Sequence, residues 1–177
     1  MTTSLTTFSL SYSSTDYLLA LPMLMLTVFA LGILMIDLLL PKQWKRVNAI
    51  TALIGVAFSA AAVGKLHLAY HAAEKHGIEI ATFTGFMGSL VVDRFAIYFF
   101  YLFLMGAGIA ILMSMRYLEI ERENHGEFYA LMLLSVVGMM CMAAGYDIVL
   151  IFIGLELMAI STYVLVELGW RSEEHTV

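Results

Sequence analysis

The sequence is short of charge, of cysteine and of proline. Only 13% of its 177 residues are Asp, Glu, Lys or Arg, against about a quarter in soluble domains, which argues against an ordinary water-soluble globule. Its single cysteine, Cys141, excludes an intrachain disulfide, and one thiol cannot hold an iron–sulfur cluster. Lying inside an apolar run, it reads as a small packing residue. No glycine-rich turn follows a strand, so there is no dinucleotide-binding fingerprint. The formal net charge is −5, the acids are densest in one loop, and no basic patch points to nucleic acid. Residues 1–16 are rich in Ser and Thr and carry no Lys or Arg. A secretory signal would begin with positive charge and end in a small-residue cleavage site, so the N-terminus is expected to be retained.

What is abundant is apolar: 62% of the residues are hydrophobic. The expected fold class is therefore an all-α integral membrane protein, a bundle of five transmembrane helices at about 17–40, 47–66, 93–115, 128–144 and 148–168, each near the length a bilayer requires. Pro22 falls in the first turns of the first run, where a missing N–H is tolerated. Asp37 lies near that run's far end, and Pro41 stops it. Lys42, Lys45 and Arg46 follow, so Asp37 reads as an interfacial ion-pair partner. In the second run Gly55/Ser59 and Ala60/Gly64 stand four apart, the small-xxx-small spacing that lets helices approach closely. Gly106/Ala110 repeats it in the third.

The connections are expected to be polar. Residues 67–92 read as an external loop, in which His67, His71 and His76 lack a third ligand of firm spacing. They are taken as interfacial histidines and no metal site is assigned. Thr84-Gly85 is a candidate hairpin turn. Asp93 is placed to cap the third helix. The charged stretch 116–127 reads as a solvated loop or helix end. Only Gly145-Tyr146-Asp147 separates the last two helices, so they must be antiparallel neighbours. A left-handed Gly145 is expected to close one and an Asp147 cap to open the next. Gly138 and Cys141 are expected on the face that meets the fifth helix.

The residue that carries chemistry is Glu156. Nine residues past Asp147, at about 1.5 Å each, it lies roughly 13 Å into the span. That is close to the midplane of a hydrocarbon core about 30 Å thick. A charge there costs about 3 kcal/mol on insertion scales, so an intramembrane acid points to a proton or ion site. The plainer alternative is a hydrogen bond gluing helices together, which a Ser or Asn would supply without the ionisation cost. Lys42, Lys45, Arg46, Arg116, Arg122 and Arg171 fall on one side of the five crossings, and Lys65, Lys75 and Arg94 on the other. The positive-inside rule makes the first side cytoplasmic and puts the N-terminus outside.

Three stretches carry a family resemblance: Val92-Asp-Arg-Phe-Ala, Glu127-Phe-Tyr-Ala-Leu-Met-Leu-Leu-Ser-Val-Val-Gly-Met-Met, and Asp147 through Tyr163-Val-Leu. They resemble subunit N of the proton-pumping NADH:quinone oxidoreductase, respiratory complex I. The resemblance covers most of residues 17–168 and is most specific between Glu127 and Val166. Glu156 matches, in position and flanks, the key glutamate on the fifth helix of the antiporter-like subunits. Gly154-Leu155-Glu156-Leu157 stands where the sister subunits L and M, and the related cation/proton antiporters, typically carry Trp before the Glu. An antiporter subunit is accordingly the second reading.

The resemblance implies the rest. Such subunits have about fourteen helices with inverted five-helix repeats, and this chain would hold the N-terminal part. The lysine-bearing broken helix that partners the glutamate would lie outside it. His175-Thr176-Val177 departs from the family pattern, so 169–177 reads as a truncated tail, and a fragment without activity of its own is a third reading. The implied function is proton translocation coupled to quinone reduction, with Glu156 as the translocating residue. Hydrocarbon favours the neutral acid and a nearby cation favours its ionised form, so moving a cation would switch it. No cofactor is expected in this chain; NADH, FMN, iron–sulfur clusters and quinone would belong to other subunits. The implied partners are the other membrane-arm subunits and the lipid of a bacterial plasma membrane.

Overall fold

The computed structural model describes residues 14–39, 46–75, 83–121 and 126–174. Its elements are α1 (Ser14–Leu39), α2 (Arg46–Lys75), a hairpin of β1 (Thr84–Gly85) and β2 (Leu90–Val91), α3 (Arg94–Glu121), α4 (Gly126–Ala144) and α5 (Ile148–Glu174). Among the described residues five helices are long and apolar enough to cross a membrane, at Asp16–Leu39, Val47–Lys75, Arg94–Met115, Gly126–Ala144 and Ile148–Leu168.

Small residues bring the helices together where the sequence supplies them. A Cβ on Gly55 would fall 2.8 Å from Phe29 of α1, so only glycine allows that approach. One turn on, Ser59 is buried and its hydroxyl donates to the Pro22 carbonyl at 2.9 Å. Gly106 does not repeat the device: it is exposed, and a Cβ there would meet nothing within 4 Å. Ala107, one position round the helix, is the buried residue. Pro22 also lies deeper than expected, because α1 already starts at Ser14. The proline is therefore a helix-interior one, more than two turns in.

The core runs through α1 to α4, centred on Leu26, Ile33, Val63, Phe100, Leu133 and Met140. α4 is the central helix, packed on α1, α3 and α5. α5 is the outlier: its one extensive contact is with α4, and 11% of its span is buried against 44% for α4.

The polar connections differ from expectation. α2 continues through His67 and His71 to Lys75, so the first part of the expected 67–92 loop is helix. Leu66 and Tyr70 are buried, and that apolar stripe carries the helix on past the hydrophobic run. Thr84-Gly85 is not the hairpin turn but its first strand, pairing Thr84 with Val91 and Gly85 with Leu90. The turn is made by Phe86, Met87 and Gly88, with φ of 51°, 57° and 89°. At the other end of the bundle α3 runs to Glu121. α5 runs to Glu174, so helix covers most of the expected tail. Readings that fall on His76, on Lys42 and Lys45, and on residues 1–13, 122–125 and 175–177 lie outside the described residues.

Candidate functional site

Asp147 opens α5 as expected. Its carboxylate accepts from the Val149 N–H at 3.2 Å and its carbonyl from the Ile151 N–H at 3.1 Å. Asp93 opens α3 in the same way, accepting from the Ala96 N–H at 2.8 Å. The turn between α4 and α5 is built differently from the expectation. Gly145 is not left-handed: the one positive-φ glycine among the described residues is Gly88. The chain leaves α4 by pairing Gly145 with Leu90 of the hairpin. The Ser89 carbonyl then accepts from the Tyr146 N–H at 2.9 Å and, more weakly, from Asp147 at 3.5 Å. Glycine is still required, because a Cβ at Gly145 would fall 2.9 Å from the Cys141 carbonyl oxygen and 2.8 Å from Ile151.

From that fixed start, the register of α5 follows. Gly154 is buried against α4, where a Cβ would meet the Gly138 carbonyl oxygen at 2.8 Å and Cys141 Cβ at 3.0 Å. Gly138 and Cys141 thus face α5, as the sequence indicated. Ser161, two turns beyond Gly154, is buried on the same side. Glu156 follows Gly154 by two residues, a rotation of about 200° at 3.6 residues per turn, and so points away from α4. It is exposed, in the middle of the Ile148–Leu168 span. Among the described residues its carboxylate makes no hydrogen bond or ion pair. Leu155, Phe152 and Tyr163 on this outer side are exposed too.

Two further polar clusters are present, one buried and one exposed. Asn48, buried at the start of α2, donates through Nδ2 to Asp37 Oδ1 at 2.5 Å. Asp37 thus has an amide partner; Lys42 and Lys45, the cations expected beside it, lie outside the described residues. Gly126 at the start of α4 leaves room for this pair, since a Cβ there would collide with the Asp37 side chain. The other cluster lies between the end of α2 and the start of α3. There the His67 and His71 rings stack at 4.7 Å, and Arg94 pairs with Glu74. Hydropathy hid this cluster by assigning its α2 members, His67, His71 and Glu74, to a loop. Among the described residues no group of three His, Cys, Asp or Glu side chains is arranged to hold a metal.

Among the described residues five helices are long and apolar enough to cross a membrane, with Glu156 near the middle of the last of these spans, and they define a multi-pass membrane protein. The chain belongs to the subunit N family of NADH-quinone oxidoreductase. It is 58% identical over 154 residues to NADH-quinone oxidoreductase subunit N 1 of Koribacter versatilis, covering 87% of this chain and 30% of that protein. It is 40% identical over 162 residues to subunit N 2 of Solibacter usitatus, covering 90% and 32%. With subunit N of Trichlorobacter lovleyi it shares 39% identity over 145 residues, covering 82% and 27%. The chain therefore spans about a third of the length of the curated relatives it matches. No protein-family model matches it.

Proposed function

We propose that this chain forms part of a proton-translocating membrane subunit of NADH:quinone oxidoreductase, and that Glu156 is the group that takes up and releases the proton. The observation that carries the reading is the position of Glu156. Among the described residues it is a carboxylate without a partner, near the middle of the Ile148–Leu168 span, where leaving a charge toward lipid would cost about 3 kcal/mol.

In the complete protein this outer side of α5 is covered by further helices of the same subunit, and a cation carried there sets whether Glu156 holds its proton. Quinone, NADH, flavin and iron–sulfur clusters are bound by other subunits of the complex, which are this chain's partners. The chain sits in a bacterial plasma membrane with the hairpin and the α4–α5 turn outside and the α1–α2 connection, beside Asp37 and Asn48, in the cytoplasm. The positive-inside asymmetry supports that orientation.

The test is Glu156→Gln in the full-length protein within its assembled complex. Gln keeps volume and hydrogen bonding but carries no proton, so pumping per NADH oxidised should fall while the immunoblot level of the complex is unchanged. Glu156→Asp should be milder. Full pumping by an assembled Gln variant would remove the reading.

A further inference from the structure

Glu156 does not stand alone on the outer face of α5. Glu167 follows it by eleven residues, three full turns and about 20° more, and is exposed near the end of the Ile148–Leu168 span. Tyr163 stands between them, seven residues from Glu156 and four from Glu167, and is 73% exposed. The three residues therefore form one line down the helix. It is roughly 16 Å long, which takes it from mid-span to the edge of a half-core about 15 Å deep. Long side chains on a helix lean toward its N-terminus, so Tyr163 and Glu167 both reach back toward Glu156. Toward the Asp147 end the helix offers nothing comparable. Residues 148–155 are all apolar or glycine, and Asp147 lies about half a turn round from Glu156, its carboxylate accepting from the Val149 N–H. The other hydroxyls of this stretch are engaged elsewhere: Ser161 is buried on the α4 side, and Thr162 donates to the Met158 carbonyl at 2.7 Å.

We propose that Glu167 is the proton-entry group for Glu156, with the Tyr163 hydroxyl as the relay between them. The inference rests on the reading of Glu156 as the translocating group and on the cytoplasmic placement of the α5 end that carries Glu167. A proton passes from cytoplasmic water to the Glu167 carboxylate. The Tyr163 hydroxyl accepts it through water and releases its own proton, again through water, to Glu156, which becomes the neutral acid; no electrons move. Glu167 is left ionised and ready for the next proton. A phenol hydroxyl can both donate and accept, which a relay requires, and a carboxylate at the mouth binds a proton and draws cations from solution. Because the line runs to one end of α5 only, Glu156 is loaded along this helix from the cytoplasm and empties by a route that α5 does not supply.

The test uses the full-length protein in its assembled complex, in inside-out membrane vesicles, with pumping read per NADH oxidised and assembly by immunoblot. Glu167→Gln and Tyr163→Phe should each lower pumping, and Glu167→Asp, which keeps the acid, should restore most of it. Groups acting as one unit are non-additive, so a double variant carrying Glu156→Gln and Glu167→Gln should pump as well as Glu156→Gln alone. A Glu167 with a merely structural role would add its own loss. If the Glu167→Gln complex does not assemble, Tyr163→Phe decides, since it removes one oxygen and leaves the ring. Full pumping by an assembled Glu167→Gln or Tyr163→Phe variant would overturn the proposal, as would additive losses in the double variant. Failure of the Glu156 reading is a separate result, seen as full pumping by Glu156→Gln itself.

Discussion

Gly138 and Gly154 face each other backbone to backbone. A Cβ on Gly138 would fall 2.5 Å from the Gly154 carbonyl oxygen, and one on Gly154 would fall 2.8 Å from the Gly138 carbonyl oxygen. The obstruction on each side is main chain, so no side-chain rotation can relieve it. This contact fixes the face of α5 that meets α4, and thereby turns Glu156 outward.

Gly138→Ala or Gly154→Ala should therefore push α5 off α4 and destabilise the fold by about 1–3 kcal/mol, the range for overpacking. Gly106→Ala, in open space, is the control and should change stability by less than about 0.5 kcal/mol. Equilibrium unfolding in mixed micelles reads all three.

Two other glycines should respond to substitution for different reasons. Gly88 has φ of 89° and open space around it, so Gly88→Asn should be tolerated better than Gly88→Val. At Gly145 the conflict is with the Cys141 carbonyl and Ile151. Asn should there be no better than Val, because any Cβ meets the same atoms. Comparing thermal midpoints of the four variants checks the assignment.

Ser59→Ala removes the buried hydroxyl bond to Pro22. Interhelical hydrogen bonds in membranes contribute about 0.6 kcal/mol on average, so the loss should be small. Ser59→Leu should cost more, because Ser59 is fully buried at the α1–α2 crossing. An Ala variant as damaged as the Leu variant would show that the hydrogen bond dominates over packing.

Glu156→Leu should have opposite effects at two levels. In this chain alone it should ease membrane insertion of α5 by about 3 kcal/mol, measured by glycosylation mapping in microsomes. In the complete complex it should depress proton pumping. Unchanged insertion would show that the carboxylate is already shielded within these five helices.

Much of this was legible in the sequence because it depends on local signals. Asp93 and Asp147 stand just before apolar runs and are the caps. Glu156 is conspicuous because a carboxylate in a long apolar run has no local explanation. What was illegible depends on tertiary contact. His67 and His71 are polar, so hydropathy ended α2 before them, but buried Leu66 and Tyr70 hold the helix together. Gly145 was assigned a left-handed backbone from its place after a helix, yet pairing with Leu90, distant in sequence, sets its conformation. Gly55 and Gly106 carry the same small-residue signal, and only the partner helix decides which one is used. The pairing of Arg94 with Glu74 joins α3 to α2, so no single stretch announces it.

The carbonyl of Ser89 receives the two N–H groups that begin the reversal into α5. A chain made from its N-terminus produces that acceptor more than fifty residues before the donors Tyr146 and Asp147. The last helix is therefore docked onto a template left by an earlier connection rather than by its own turn. The Ser89 N–H donates to the Phe86 carbonyl at 3.1 Å, so an insertion within the Phe86–Gly88 tip displaces Ser89 as well. Shifting the strand register by one residue removes Ser89 from its place and deprives α5 of a fixed origin. The length of the tip and the register of the strands thus both reach α5 through one residue of the same small hairpin.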